Sequence, residues 1–417
     1  MTTLDDITEP LAITMWDSSW LRRTYRGGGF EDWDRALAEL VDRGYNAVRI
    51  DVFPHLIARG PGGDLVERFK DVPNQFPQFY GFGMWGNPWT MYIEPRKALI
   101  EFLTKCRAHG VKVALSTWFK PTDDRRNEQI EGLDEFVRVW QETLEFIDAN
   151  GLMDTVVYLD VLNEYPNGHV FSWLHRTVKT MSWPPNPKGG YNDRQRDFLW
   201  GFISQAIERL RADWPELTIS TSFTFDSFER YFEGLDLGVL DFLDVHIWLN
   251  YLPGFDAVSD YAKTIERHGN PNELFRVERG GNAYAEDARL IPQDYHYDDT
   301  YAAVLAAWND RRSEWVAGFE DQIDRVVAAA RPHNLHVGQT EAWGMVNWLD
   351  HPLLDWRIHR ETAEIGAAIA ARRGYSFDCS ANFCHPHFLG FWDDVPWHRS
   401  LTGVIRSGIP RLDRDRA

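Results

Sequence analysis

The sequence predicts a (β/α)8 TIM barrel with long loops at the C-terminal ends of the strands, and three observations carry that expectation. Strand-type and helix-type segments alternate through eight units along the 417 residues, the order that yields a parallel sheet. The strands end repeatedly in polar residues, which are costly inside a core and useful at a rim. No phosphate or dinucleotide loop follows the first strand, as an open doubly wound sheet would require. Gly27-Gly28-Gly29 lacks both the Lys-Ser/Thr pair and the spaced glycines of such loops.

Taken in order, Leu11–Met15 reads as the first strand, and Glu31–Arg43 as an amphipathic helix closed by Gly44. Ala47–Phe53 is the second strand. Pro95–His109 is a helix stopped by Gly110, and Val111–Trp118 the third strand. Leu133–Ala149 leads through Gly151 to the fourth strand, Val156–Asn163. Arg194–Asp213 is helical, Leu217–Phe223 the fifth strand and Leu240–Trp248 the sixth. An irregular insertion of residues 252–299, rich in Gly, Pro, Asn and Tyr, precedes a long helix, Tyr301–Ala330. Leu335–Thr340 is the seventh strand, His359–Arg373 a helix, and Tyr375–Phe383 the eighth strand. No linker or repeat divides the chain, so residues 1–417 read as one catalytic domain, with a disordered tail over about 406–417.

Composition narrows the partners. A formal net charge of −19 argues against nucleic acid and anionic membrane, both of which need a basic face. No apolar run reaches the length of a membrane span. The first ten residues carry acids where a signal peptide has a basic region and an apolar core, so a cytoplasmic protein is expected. Three cysteines, Cys106, Cys379 and Cys384, cannot form a paired framework, and no Cys-x-x-Cys spacing occurs. Nineteen Trp exceed what a core needs; most suit packing, and a minority suit stacking on the C–H faces of sugars.

The strand ends hold the candidate chemistry. The first ends in Trp16-Asp17, the second carries Arg49 and Asp51, and the third ends in Trp118 and Lys120. The fourth ends in Asn163-Glu164 before Tyr165-Pro166, the sixth in His246 and Trp248, and the seventh in Glu341. Asn382, His385 and Trp392 follow the eighth. Two apolar strands that each deliver one carboxylate to a common rim suit cleavage of a glycosidic bond. One carboxyl would protonate the leaving oxygen and the other attack as an anion.

Asn-Glu closing the fourth strand and Glu closing the seventh resemble the clan A glycoside hydrolases, and family 5, the cellulase and mannanase group, in particular. The resemblance spans nearly the whole barrel. It implies Glu164 as acid/base and Glu341 as nucleophile, with Asn163 on the hydroxyl beside the attacked carbon. Arg49 would hold Glu341 ionised, and His246 would orient a carboxyl. Asp17, Trp118 and Trp392 would line the sugar. The implied activity is that of a retaining, exo-acting β-glycosidase on short manno- or gluco-configured oligosaccharides, with no cofactor and no metal.

The sequence departs from that pattern in places. The two glutamates are 177 positions apart (341 − 164), which the insertion and long helix absorb. Trp118-Phe119-Lys120 stands where a His–aromatic pair is expected, and Glu278 is a rival nucleophile inside the insertion. Other readings of individual residues stay open. Glu164 could be a structural partner of Arg49, and His246 a core histidine. Arg22-Arg23 suits a surface pair that Asp17 and Asp51 could meet. Trp85, Trp89 and Tyr92 sit in a loop where aromatics can stack on sugars. Cys384-His385-Pro386-His387 has ligand-type residues, but adjacent ligands rarely converge on one metal. A sugar-binding barrel without catalysis, a metal-dependent hydrolase on the same barrel and a transglycosylase are the alternatives, and the sequence leaves the oligomeric state unknown.

Overall fold

The computed structural model describes residues 3–71, 84–87, 90–166, 171–186, 190–255, 297–345 and 356–410. Most of the 252–299 insertion, with Glu278, lies outside them, as do Trp89 and residues 411–417 of the tail.

Eight strand positions form the barrel. They are β1 (Leu11–Asp17), β2 (Ala47–Asp51), β3 (Lys112–Ser116), β4 (Val156–Asp160), β5 (Ile219–Ser220, then Ser222–Thr224), β6 (Phe242–Trp248), β7 (His336–Gln339, then Ala342–Trp343) and β8 (Phe377–Cys379). Each pairs in parallel with its neighbours, and Leu11 opposite Phe377 joins β1 to β8. The fifth strand breaks at Thr221: Ser220 pairs with Asp160 of β4 and Ser222 with Asp244 of β6. Among the described residues, the helices on the outside include α1 (Trp33–Asp42), α2 (Pro95–Ala108), α3 (Leu133–Ala149), α4 (Asp193–Asp213), α5 (Tyr297–Ala330), α6 (Arg357–Arg373) and α7 (Val395–Arg406). Between β5 and β6 only short helical turns occur, Phe225–Ser227 and Phe228–Phe232. None of the described helices is long and apolar enough to cross a membrane.

Local chemistry explains the helix starts. Asp32 caps α1 by accepting from the N–H groups of Asp34 and Arg35, satisfying donors that the first turn leaves bare. Asn192 and Gln195 exchange side-chain and backbone bonds at the start of α4, a capping box.

Inside the barrel, side chains of alternate residues stack in layers. Tyr158 of β4, Phe242 of β6 and Phe377 of β8 meet with ring centroids 4.6–5.6 Å apart. Two residues further along the same strands come Asp160 and Asp244, both fully buried, as is Arg49 of β2. The period of two along a strand therefore moves the interior from aromatic to charged before the rim is reached. Gly338 of β7 makes room for that aromatic layer, since a Cβ there would fall inside the Phe377 ring.

Outer packing is equally tight where β7 meets α6. The Trp343 indole lies on the backbone of Gly366, and a Cβ at that glycine would overlap the ring. Gly366→Ala is expected to destabilise the protein by about 1–3 kcal/mol through overpacking, read as a lower denaturant midpoint at unchanged m value.

Candidate active site

The polar layers converge at the C-terminal ends of β4, β6 and β7. Glu341, directly after the first segment of β7, is buried. Its Oε1 accepts from Arg49 Nη2 at 2.7 Å and from Asn163 Nδ2 at 3.0 Å, and its Oε2 from Asn382 Nδ2 at 3.2 Å. Arg49 Nη1 also donates to Asn163 Oδ1, and to Thr340 Oγ1 at 3.3 Å. One guanidinium thus fixes the carboxylate and the amide that flanks it. Burial pushes the Glu341 carboxyl above its ordinary range, while the Arg49 charge pulls it back toward ionisation.

Glu164 follows β4 with a left-handed backbone (φ 52°), a conformation with a backbone cost. Asp17, Phe53 and Phe119, at the ends of β1, β2 and β3, share positive φ. Glu164 Oε1 lies 3.0 Å from Nδ1 of His246. Its backbone N–H donates to Ser222 Oγ at 2.9 Å, so the strand that breaks at Thr221 also anchors this turn. With 11% of its side chain exposed against 2% for Glu341, Glu164 is the more open of the two carboxyls. Ligand atoms of Glu164, His246 and Glu341 all lie within 4.8 Å of one another.

That spacing could also suit a divalent cation, but the donor set does not. Glu341 Oε1 already faces a guanidinium and an amide N–H, so a cation among the three side chains would meet hydrogens and a positive charge.

A second buried cluster joins β1, β2 and the segment after β3. The Lys120 ammonium bonds Asp17 Oδ2, donates to Ser18 Oγ at 2.9 Å and stands 4.0 Å from Asp51. Asp51 also accepts the N–H of Phe53 at 2.9 Å and of Trp118 at 3.2 Å. Two carboxyls share one ammonium here. Lys120 favours Asp17 as the anion, and burial lifts Asp51 to about 6. Asp17 Oδ1 is buried without a partner among the described residues, and the charges of Arg49 and Glu341 both act on Asp17.

The model of the sugar-binding cellulase-like family matches residues 13–406, nearly the whole barrel. The chain belongs to this family. Among solved structures, a Parabacteroides distasonis ATCC 8503 protein provisionally named a glycoside hydrolase is 30% identical, with a TM-score of 0.75. The match covers 96% of this chain and 95% of that one. An endoglucanase at 12% identity and TM-score 0.50, covering 95% and 97%, shares the fold. No curated protein matches the chain.

Against this cellulase-like frame, the predicted residues sort clearly. Glu164, Glu341, Arg49, Asn163 and His246 come together, and Arg49 pairs with Glu341 instead of Glu164. Asp17 is brought close; Trp118 joins through its backbone, with its indole buried. Trp392 is not brought to the cluster. It starts from a short helix, stacks on Arg43 at 4.2 Å and donates from Nε1 to Glu39 of α1 at 2.9 Å, because an indole with a cation and a carboxylate beside it packs stably between helices.

Arg22 is no surface residue: it is buried and pairs with Asp71 at 2.6 Å. The carboxyls of Asp17 and Asp51 meet Lys120 instead. Cys384 is also fully buried, its thiol accepting from Tyr45 Oη at 3.2 Å. Trp85 is buried and stacked on Trp248 (6.4 Å, 9°), whereas Tyr92 stays 58% exposed beneath Arg68.

Sequence reasoning missed Asp160, Asp244, Ser222 and Tyr251, the last close enough to feel both Glu164 and Glu341. The available signal was the Asp244-Val245-His246 alternation, which places two polar side chains on one face of a strand.

Proposed function

We propose that this family member is a retaining β-glycoside hydrolase with Glu341 as nucleophile and Glu164 as acid/base. The observation that carries the reading is the approach of the two carboxyls within 4.8 Å combined with their unlike surroundings. Retention needs a separation of roughly 5–5.5 Å, whereas inversion leaves room for a water. A carboxylate gripped by Arg49, Asn163 and Asn382 is prepared to be an anion, and attack on the anomeric carbon makes Glu341 the ester-forming group. Glu164 protonates the departing oxygen and later takes a proton from water.

The Asp17 oxygen left without a partner among the described residues supports a role for Asp17 in receiving a glycone hydroxyl, with Lys120 holding the carboxylate in place. We infer exo action on short β-linked manno- or gluco-configured oligosaccharides, handled by a single catalytic domain in the cytoplasm.

The test is a panel of aryl β-glycosides (manno, gluco, galacto, xylo and N-acetylglucosamine) with wild type, Glu164→Gln and Glu341→Gln, each with and without EDTA. The expected result is a substrate that wild type cleaves with retained anomeric configuration, that both variants lose, and that EDTA leaves unaffected. Random internal cleavage of a polymer would overturn exo action, and an inverted product would overturn the double displacement.

The pH profile gives a further expected result. Glu341 must be ionised in the free enzyme, and burial raises its pKa above the ordinary 4.5. Activity measured as kcat/KM is therefore expected to be full on the alkaline side of that raised pKa. It should fall as pH drops through a value above 4.5, before an unperturbed glutamate would be protonated.

A further inference from the structure

Behind Glu164 runs a chain of three groups that ends on a buried carboxyl. Glu164 Oε1 is 3.0 Å from His246 Nδ1, and His246 Nε2 is 3.1 Å from Thr340 Oγ1. Thr340 Oγ1 is in turn 2.7 Å from Asp244 Oδ2, while the Thr340 N–H donates to Asp244 Oδ1 at 3.0 Å. Thr340 has one hydroxyl hydrogen and receives Arg49 Nη1 at 3.3 Å, so the hydrogen serves either Asp244 or His246, never both.

Resting on the reading of Glu164 as the acid, we propose that Asp244 is a positioning residue that decides, through Thr340 and His246, whether Glu164 carries its proton. With Asp244 ionised, Thr340 donates to it, and a neutral His246 donates from Nε2 to Thr340. Nδ1 is then a bare lone pair, and the hydrogen it needs is the one on Glu164. With Asp244 protonated, every bond reverses: Asp244 donates to Thr340, Thr340 to Nε2, and Nδ1–H to an ionised Glu164.

The two states interconvert with atoms and charge conserved. The Glu164 O–H breaks as His246 Nδ1–H forms, Nε2–H breaks as a new Thr340 O–H forms, and the old Thr340 hydrogen passes to Asp244. Glu164 gains the negative charge that Asp244 loses.

The surroundings permit both states. Burial holds His246 neutral, at about 4, so the imidazole has a single hydrogen to place. Burial, with Asp160 nearby, pushes the Asp244 carboxyl well above its ordinary range and favours the proton there, while the N–H and O–H it accepts from Thr340 favour the anion. Nearby Asp160 accepts from Ser116 Oγ (2.8 Å), Ser222 N (3.0 Å), Ser222 Oγ (2.9 Å) and Leu162 N (3.3 Å), and so is better satisfied as an anion. Among the described residues, the ionisable groups acting on Asp244 include Asp160 and Tyr158 of β4, Arg49 of β2, His246 and Tyr375, and those acting on Glu164 include Glu341, His246 and Tyr251.

Asp244→Asn tests the chain because the amide can sit only one way round. Its Oδ1 must accept the Thr340 N–H, so Nδ2 donates to Thr340 Oγ1 and locks the arrangement that favours ionised Glu164. The basic limb of kcat/KM is expected to move to lower pH. At neutral pH, cleavage of a glycoside with a poor leaving group should fall by about 10- to 100-fold, part of the ~10²–10⁴ that a positioned acid supplies. A dinitrophenyl glycoside, which leaves without a proton, should lose far less.

An unmoved limb, or equal losses on both substrates, would overturn the inference. Glu164→Gln is measured in parallel. If it too loses both substrates alike, the acid assignment fails first; if it spares the dinitrophenyl substrate and Asp244→Asn does not, only the chain fails. Should Asp244→Asn not fold, the imidazole ¹⁵N spectrum of the wild type decides, with His246 identified by its loss in His246→Gln. Hydrogen on Nε2 is expected at any neutral pH where wild type cleaves the poor-leaving-group glycoside, and hydrogen on Nδ1 in enzyme that is active at that pH would overturn the proposal.

Discussion

Replacing Glu341 by glycine is expected to abolish turnover, with a loss on the order of 10⁴–10⁶ in kcat, the scale seen when a nucleophile acting as part of a unit is removed. The loss should be of a particular kind. The cavity left behind admits a small anion, and Arg49, Asn163 and Asn382 remain to bind one where the carboxylate stood. Added azide should therefore restore cleavage of a dinitrophenyl glycoside, giving an azide of inverted configuration. Rescue of Glu164→Ala should differ: azide attacks the glycosyl ester on Glu341, and the product keeps its configuration. The pair of product configurations, read by proton NMR, assigns the two glutamates without reference to rates. Identical configurations from both variants would sink the division of roles.

The second large effect concerns stability. Arg49→Met removes the cation from a fully buried pair and leaves Glu341 without its counter-charge. Breaking such a pair from one side typically costs about 3–5 kcal/mol, because the remaining charge is stranded in a low dielectric. Glu341→Gln in the same background removes the stranded charge and should recover a substantial part of that loss. A double-mutant cycle by chemical denaturation measures the coupling. A double variant no more stable than Arg49→Met alone would mean that Arg49 stabilises the barrel through packing and through Asn163 and Thr340, with Glu341 incidental.

The fold was legible because its signals are local and repeated. Glycines such as Gly44, Gly110, Gly151 and Gly374 stop helices in left-handed turns, and short apolar runs follow each of them. Asn163, Glu164 and Glu341 were legible because a polar residue just past an apolar strand has few structural reasons to be there, and Arg49 and His246 because each lies two residues before the end of such a strand.

Other features depend on three-dimensional neighbours that no periodicity encodes. Asp160 closes β4 and Asp244 lies inside β6, both where full burial argues for apolar residues, and only the arginine and hydroxyls brought by other strands make them tolerable. Trp392 follows the eighth strand in sequence, yet Arg43 and Glu39, about 350 positions earlier, draw it to the outside. Arg22 looked like half of a surface pair because its partner, Asp71, belongs to a hairpin strand (Phe69–Asp71) too short to announce itself.

The left-handed backbone at Glu164 has a consequence for how such a protein can change. An L-residue with a long side chain pays roughly 1–2 kcal/mol to stay in that region, and glycine pays almost nothing. Selection for heat resistance alone would therefore drift toward glycine or asparagine at position 164, and each step would look like an improvement while discarding the proposed acid. With Glu164 in its proposed role, the turn that carries the carboxyl is a place where durability and turnover pull in opposite directions, and a thermostabilised library never assayed for sugar release would lose its activity there first.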